Sequence, residues 1–464
     1  MTGDRGASHL GAPATVTEAL ASFAMSTPLE DIAPAAREAA TLLLLDAIGT
    51  ALANRDAPFA VAMRGVVAEA DAGGPCTGIG GGAGPAGPEA AAEVNSSLVH
   101  GSDLDATHIE SIIHPTSIAV PVALAVGEAA DARGSEVLAA MACGMEVLVR
   151  LGLAAAGQFH RRGYQPTALL GSLVAAIVAA RLRGRSTGAA VEAAGLATSV
   201  SAGLRSFSSD GTWGKRLITA WACRTGIHAE ALVAAGFRGS RDALEKSWGL
   251  FPAFLPEGGF DLSLATDQLG RTWTLIDTEP KRYPCSHGLH PYIESARALS
   301  DQVSADAIAT VGLRVNDAAV RWWFEPRDLR YRPDAYAARF SLPYVVARAI
   351  LDGRVDEASF EAEAVEDSTA LALADRVVPI VDPALEDRAP VGLPGGLTIV
   401  LRDGSAIEIS NAPAPSDTEA FVIGRFRVVA TGVLGAVRAA RLERSILGIA
   451  GAPSVRSVLA DAVA

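Results

Sequence analysis

Apolar residues along most of the chain recur with the three- and four-residue spacing of a helix. This spacing runs through residues 16–70 and 134–236, and it returns after Pro415 and continues to the C-terminus. Pro28 and Pro34 mark breaks within the first stretch, because proline interrupts the hydrogen bonding of a helix interior. The pattern predicts a mostly helical protein.

Residues 271–411 follow a different pattern, in which β-branched residues partly alternate with polar ones. The predicted strands are 310–315, 376–381, 396–401 and 405–410. Asp403 and Gly404 join the last two strands and are typical of a tight hairpin. The predicted fold class is therefore mostly α: a large all-helical domain formed by residues 1–270 and 412–464, with a smaller α+β lid domain, residues 271–411, inserted in it.

Composition and charge narrow the class of protein. Half of the 464 residues are hydrophobic, and the formal net charge is −13 without a Lys/Arg-rich run, which argues against a nucleic-acid partner. The first residues lack the basic and apolar regions of a signal peptide. The longest uncharged apolar stretch, residues 166–180, falls short of the ~20 residues that span a bilayer. These features predict a soluble cytoplasmic protein without a membrane partner.

Two common cofactor signatures are weak in this chain. Gly78, Gly80 and Ala83 fit a loose dinucleotide-binding fingerprint, but no clear strand precedes them and prolines follow where a helix is needed. The cysteines are far apart, without a C-x-x-C pair, and are expected to be isolated and reduced: Cys76, Cys143, Cys223 and Cys285. We therefore expect neither a dinucleotide nor a structural zinc site.

The segment from residue 100 to residue 121 concentrates groups that can transfer protons. It contains, in order, His100, Asp103, Asp105, Thr107, His108 and His114, followed by an apolar run. Histidine titrates near neutral pH, and a neighbouring carboxylate can orient it or share its proton. The alternative is that these side chains only cap turns or face solvent. A metal site is a further alternative, although the histidine spacing matches no helix-borne ligand pair.

Three other polar patches interrupt the apolar background. Tyr164, Gln165 and Thr167 surround the proline that opens the most apolar helix, whose free N–H groups favour a carboxylate. Lys215 lies just inside another predicted helix, where its charge opposes the helix dipole, so an anionic ligand is expected to offset it.

The last patch precedes a Tyr-Pro corner. Lys281 and Arg282 stand there, and the corner would fix their direction. For these patches, the alternatives are a simple capping loop and an exposed basic loop.

Taken in order, these patches resemble the MmgE/PrpD family, which includes 2-methylcitrate dehydratases, cis-aconitate decarboxylases and iminodisuccinate epimerases. The resemblance covers nearly the whole chain and depends on five segments: HGSDLDATH…HP, GYQPTALLG, DGTWGKRLITAWACRTGIHAEALVAAGF, KRYPCSHGLHP and ARFSLPYVVARAILDG. It implies a helical domain made from both chain ends, an α+β lid, an active site between the two domains, and a homodimer.

The resemblance also implies which residues act. Asp103, Thr107 and His114 match the aspartate, threonine and His-Pro histidine of the family motifs, and Lys215 and Lys281 match its lysines. We predict that Asp103, His114, Lys215 and Lys281 are catalytic and that Thr107 contacts substrate. We add four further residues as predicted substrate contacts: Tyr164, Gln165, Arg282 and His108.

Two residues depart from the family pattern. Gln165 stands where many relatives have a histidine, and glutamine cannot act as an acid or base at neutral pH. Ala106 stands where relatives have a second aspartate. This protein therefore either moves the proton with another group or runs a different reaction.

The leading functional hypothesis is a lyase of the dehydratase type that acts on a small di- or tricarboxylate, without a metal or an organic cofactor. His114 would transfer the proton at the carbon α to a carboxylate, and the two lysines would bind carboxylates and stabilise the developing charge. An epimerase or decarboxylase of the same family is the first alternative. A catalytically inactive carboxylate-binding relative and a metal-dependent hydrolase are the others.

Overall fold

A computed structural model describes residues 15–70, 73–81, 86–324, 336–386, 392–409 and 417–463. Helices dominate it, and strands are few and short. The mostly α fold class with a smaller α+β region is therefore confirmed. The predicted domain limit between residues 411 and 412 and the fingerprint residue Ala83 lie outside the described residues.

Thirteen helices come from the first part of the described chain. They are α1 (Val16–Ser26), α2 (Pro34–Ala53), α3 (Pro58–Ala70), α4 (Pro88–Val99), α5 (Thr116–Ala130), α6 (Gly134–Ala154), α7 (Gln158–Arg161), α8 (Pro166–Leu182), α9 (Thr187–Thr198), α10 (Phe207–Asp210), α11 (Gly214–Ala234), α12 (Leu250–Phe254) and α13 (Ser263–Thr266). Proline opens α2, α4 and α8, since its fixed φ suits the first turn and its missing N–H is not needed there. The predicted break at Pro34 is therefore the start of a helix.

The second part of the chain adds α14 (His290–Arg297), α15 (Asp317–Trp323), α16 (Leu342–Asp352), α17 (Ala362–Val365), α18 (Ser368–Ala374), α19 (Thr418–Leu434), α20 (Ala436–Leu447) and α21 (Val455–Leu459). The strands are β1 (Thr107–His108), β2 (Thr278–Glu279), β3 (Ile308–Val315), β4 (Val377–Val381), β5 (Leu397–Leu401) and β6 (Ala406–Ile409). All four predicted strands are present within a few residues of their predicted limits.

The main sheet has the strand order β4-β3-β5-β6. Strands β3 and β4 are parallel, whereas β5 is antiparallel to both β3 and β6. The β5–β6 hairpin turns at Gly404, whose positive φ of 91° suits a residue without a Cβ. The hairpin predicted from Asp403 and Gly404 is confirmed.

One short strand pair departs from the expectation of an all-helical first domain. Strand β1 lies in the polar segment and pairs antiparallel with β2, so that Thr107 faces Glu279. Two backbone strands thus tie the proton-transfer segment to the start of the second part of the chain.

Two hydrophobic cores organise the molecule. The first joins buried residues from Leu20 to Leu275 with residues from Val422 to Ala462, so both ends of the described chain pack together. In the second, which runs from Tyr283 to Ile399, α14 and α16 pack on the sheet and α18 packs on α16. A cleft lies where residues from elements of the two cores meet.

Helix α6 is long and apolar enough by composition to cross a membrane. In the structure, however, 94% of its most apolar window is buried inside the protein. Packing against α8, α5 and α2 therefore accounts for its apolar residues.

Candidate active site

A cleft lies between elements of the two cores. Its walls come from the polar segment at residues 103–114, the N-terminal ends of α8 and α11, residues 281–287, and the end of α15. The empty space within it measures about 660 Å³, part of which is the open mouth. The cleft therefore brings together residues from four separate patches of the sequence.

Asp103 is the centre of the charged part of the cleft. It is fully buried, and its φ of 57° lies in the left-handed region that few residues other than glycine adopt. Lys215 donates a hydrogen bond to Asp103 Oδ1. Lys281 Nζ donates to the Asp103 carbonyl oxygen at 2.8 Å and lies 3.2 Å from Oδ1. A single carboxylate thus contacts two buried ammonium groups.

These contacts decide the protonation of the group. Burial by itself would raise the pKa of Asp103, but the charges of Lys215 and Lys281 outweigh it and hold that pKa well below its usual value. Burial also lowers the pKa of Lys281, an effect that Asp103 opposes and Lys215 reinforces. The carboxylate is therefore ionised at neutral pH and supplies one negative charge to the two ammonium groups.

The same contact revises the expectation for Lys215. Its position in the first turn of α11 led us to expect that an anionic ligand offsets the unfavourable helix dipole. In the structure, the offsetting anion is Asp103, 112 residues earlier in the chain. The helix geometry therefore does not by itself require a ligand.

His114 belongs to a buried chain of polar side chains. Its Nδ1 lies 3.1 Å from Thr107 Oγ1 and 3.6 Å from Asp105 Oδ2. Asp105 Oδ2 lies 2.7 Å from His100 Nδ1 on its other side. A carboxylate behind Nδ1 favours the tautomer with the proton there, which leaves Nε2 as the acceptor for a substrate proton.

Burial also sets the charge of this chain. It lowers the pKa of His114 well below 6.5, although Asp105 opposes the shift. Burial would raise the pKa of Asp105, but the histidines on either side outweigh it and hold the pKa below its usual value. His114 is therefore neutral at physiological pH, as a general base must be.

The same three side chains could hold a metal ion. One ligand atom each from His100, Asp105 and His114 lies within 4.8 Å of the others, and two imidazoles with a carboxylate are a donor set that zinc accepts. His100 Nδ1 and Asp105 Oδ2 are engaged in their 2.7 Å hydrogen bond, whereas His100 Nε2 and Asp105 Oδ1 are buried without a hydrogen-bond partner among the described residues. The residues fit a metal by type, whereas their present contacts are those of a hydrogen-bonded chain.

Gln165 lines the cleft at the start of α8. Its Oε1 accepts a hydrogen bond from Ala168 N at 3.0 Å, so the side chain caps the helix. Thr167, two residues further on, accepts from His114 N at 2.9 Å and so fixes the backbone of the histidine. Gln165 therefore caps the helix, as the capping alternative expected, whereas Thr167 connects α8 to the polar segment.

Three residues predicted to contact substrate do not belong to the cleft lining within the described chain. Tyr164 packs on Phe254, with ring centroids 5.0 Å apart. Arg282 lies over the ring of Phe421 at 4.7 Å. His108 is buried in β1 and accepts from Ser111 N at 3.2 Å.

Local backbone geometry explains why these three side chains lie outside the cleft lining. Each of these residues adjoins or nearly adjoins one that does line the cleft, but neighbouring side chains of extended backbone project to opposite sides. Sequence proximity to the cleft therefore did not place them in it.

The structure adds cleft residues that the sequence did not single out as a group. His160, Arg205 and Trp322 cluster at one part of the cleft, and His287 and Phe340 line it elsewhere. His160 lies three residues before the GYQPTALLG segment, and His287 lies within the KRYPCSHGLHP segment. Arg205 and Trp322 carry no local pattern that marks them.

The cysteines are not part of this chemistry. All four are free and buried, as expected for isolated reduced thiols. Burial raises the pKa of Cys285 far above its usual value, so this thiol stays protonated beside the cleft.

Comparison with known proteins adds family information to this geometry. Residues 18–263 match the model of the MmgE/PrpD N-terminal domain, and residues 283–446 match that of the MmgE/PrpD C-terminal domain. The two matches together cover most of the chain. Their boundary falls between the two hydrophobic cores.

Two curated relatives match over nearly the full length, and a third matches over part of it. A cis-aconitate decarboxylase-like protein, oryM, of Aspergillus oryzae is 25% identical, with 96% of each chain covered. A cis-aconitate decarboxylase of Aspergillus terreus is 24% identical, with 94% of this chain and 93% of that protein covered. A cis-aconitate decarboxylase of Mus musculus is 27% identical over 60% of this chain and 58% of its own length.

Proposed function

The chain belongs to the MmgE/PrpD family, whose members include dehydratases and decarboxylases, and we propose that it is a lyase for a small di- or tricarboxylate. The proposed reaction transfers a proton at the carbon α to a carboxylate. One observation carries the proposal: neutral His114 lines the same cleft as two buried ammonium groups that share a single carboxylate.

The roles follow from the contacts. His114 Nε2 takes the proton while Asp105 stabilises the imidazolium through Nδ1. Removing a proton beside a carboxylate builds negative charge on its oxygens, and buried cations stabilise that charge more strongly than water does. Lys215 and Lys281 supply these cations, and Asp103 orients them. The electron pair on the α carbon then forms the double bond as the β-hydroxyl leaves, and the His114 imidazolium gives its proton to that hydroxyl, so that water is released and the base is regenerated.

Decarboxylation is the second candidate, because the two near full-length relatives are a cis-aconitate decarboxylase and a cis-aconitate decarboxylase-like protein. In that reaction the carbon–carboxylate bond breaks, carbon dioxide leaves, and the electron pair that stays on carbon takes a proton from a histidine that has itself taken one from solvent. The same cations stabilise the carbanion, so the cleft serves both reactions. Gln165 in place of the family's histidine leaves His114, His160 and His287 as the histidines among the described cleft residues.

Proton NMR in heavy water separates these reactions in one experiment. The purified protein is incubated with citrate-like hydroxy acids, cis-aconitate and amino-dicarboxylates. Water loss identifies a dehydratase, loss of a carboxylated carbon a decarboxylase, and deuterium exchange without either an epimerase. Tight carboxylate binding with no exchange in any compound would overturn the proposal and favour a binding protein.

A metal-dependent hydrolase is favoured only by the grouping of His100, Asp105 and His114. Elemental analysis of the protein as purified, followed by assay after exhaustive chelation, decides between a metal-dependent hydrolase and the proposed lyase. We expect carboxylate turnover to persist after chelation. Loss of turnover that zinc restores would move the proposal to metal chemistry.

We also propose that the protein is a homodimer. Trp213, Leu217 and Trp221 recur every four residues along the start of α11, and they are 47%, 48% and 52% exposed. An apolar stripe of this kind is typical of a surface that a second copy covers. Light scattering should give twice the mass of one chain, and Trp221→Glu should shift it towards one. A monomeric native protein would contradict the proposal.

A further inference from the structure

The cleft contains a second cationic group that the proposed mechanism does not use. Arg205 lies in the loop before α10, and His160, on α7, holds it in place: Arg205 Nη1 lies 3.0 Å from His160 Nδ1 and donates to the His160 carbonyl oxygen at 3.1 Å. Burial, with the charge of Arg205, lowers the pKa of His160 well below 6.5. The ring is therefore a neutral acceptor that fixes the guanidinium.

An aromatic side chain that packs against the second core covers the Arg205 guanidinium. The Trp322 ring, on α15, lies 5.3 Å from the Arg205 guanidinium carbon and packs edge-on to His160 with centroids 4.3 Å apart. A cation over an indole face gains electrostatic attraction and keeps its direction. Arg205 is thus held from both sides of the cleft.

What Arg205 lacks is an acidic partner. Among the side chains that the structure describes, no carboxylate pairs with it, and both of its hydrogen bonds use Nη1. Nε and Nη2 form the edge of a guanidinium that binds a carboxylate with two parallel hydrogen bonds. Burial lowers its pKa only to about 10, so it remains charged at neutral pH.

The charges around the described cleft leave one cation for a ligand to compensate. Lys215, Lys281 and Arg205 carry three positive charges, and the ionised, buried carboxylates of Asp103 and Asp105 supply two negative ones. Asp103 contacts both lysines, so the excess positive charge lies at Arg205. Burying this cation without an anion is costly.

We infer that Arg205 is a specificity-determining residue whose Nε–Nη2 edge binds a second substrate carboxylate, distinct from the one at the lysines. The substrate class is then a dicarboxylate or larger. This inference rests on the proposed function in one respect, namely that the lysines hold the carboxylate next to the reacting carbon.

Binding of unreactive acids tests the inference without any turnover. Succinate and butyrate share a four-carbon chain and differ by one carboxylate, and their dissociation constants are measured by NMR titration. Arg205→Gln should weaken succinate about 10- to 100-fold, the effect of losing hydrogen bonds between charged groups, and leave butyrate unchanged. Arg205→Lys keeps the charge but lacks the two-donor edge, so its affinity for succinate should lie between those of the native protein and Arg205→Gln.

Arg162→Gln is the matched control, because this exposed arginine is close in sequence to His160 and outside the described cleft lining. It should leave both acids unchanged. Equal weakening of both acids by Arg205→Gln, or no weakening of succinate, would overturn the inference. Native protein that binds succinate through Arg205 but exchanges no proton would instead overturn the proposed function alone.

Discussion

Two cationic clusters of one cleft are built in opposite ways. Lys215 and Lys281 converge on Asp103, which the protein supplies itself. Arg205 is held by a neutral imidazole and an indole, and it has no carboxylate partner among the described residues. The first cluster is balanced by buried carboxylates of the protein and adjoins His114, the proposed proton-transfer residue, so it suits catalysis. The second is left for the ligand to balance, so it suits recognition.

Replacing His114, the proposed proton-transfer residue, should have the largest effect of the substitutions that test this comparison. His114→Gln keeps a polar side chain but removes the base, and kcat should fall about 100- to 10,000-fold with little change in KM. Steady-state kinetics on the substrate found by NMR measures it. His228→Gln, at an exposed histidine, is the control and should retain full activity. A change confined to KM would mean that this cluster also serves recognition.

Stability should separate the two clusters next. Asp103→Asn leaves two buried ammonium groups without their counter-charge and should lower the free energy of unfolding by about 3–5 kcal/mol. Arg205→Gln removes a cation that has no carboxylate partner in the described chain and should cost about 1 kcal/mol or less.

Denaturant unfolding measures both changes in stability. Asp242→Asn, which breaks an exposed pair with Lys246, should have no measurable effect. If Asp103→Asn and Arg205→Gln lowered the free energy of unfolding equally, the lysine cluster and Arg205 would be compensated alike.

The pH profile of kcat/KM should report the lysine cluster. As pH falls through the pKa of His114 the base becomes protonated, and because that pKa lies well below 6.5 the activity should persist at pH 6.5. As pH rises through the pKa of Lys281, which lies below 10.5, the ammonium is lost and activity should fall before that pH. If activity were already lost before the falling pH reached 6.5, His114 would not be a neutral buried base.

The smallest effect should come from Gln165, which lines the cleft but caps α8. Gln165→Ala should cost about 1 kcal/mol of stability, the usual value of a side-chain cap. Gln165→Asn retains a capping oxygen and should retain most of that stability. Thermal unfolding of the two variants distinguishes them, and equal stability would show that the cap contributes nothing.

Local patterns were enough to predict the elements. The spacing of apolar residues predicted α1, α2, α6 and α8, and Asp403 with Gly404 predicted the hairpin, because helix periodicity and turn conformation depend on a few neighbouring residues. The polar segment was likewise predicted as part of the site, since its proton-transfer groups are close in sequence.

Direction was harder to predict than proximity. Lys281 reaches Asp103, whereas its neighbour Arg282 lies over Phe421. Gln165 lines the cleft, whereas Tyr164 packs on Phe254. The side of the backbone on which a residue projects depends on the path of the chain through the tertiary structure, which a motif does not encode.

The sequence by itself thus determined the helical body, the small sheet, the family and a polar segment rich in proton-transfer groups. Only the tertiary structure decided which charges meet. Asp103 pairs with lysines 112 and 178 residues away, and Arg205 is fixed by His160 and Trp322 from separate parts of the chain. The strength and the pairing of charges depend on burial and distance, and both are set by packing between elements remote in sequence.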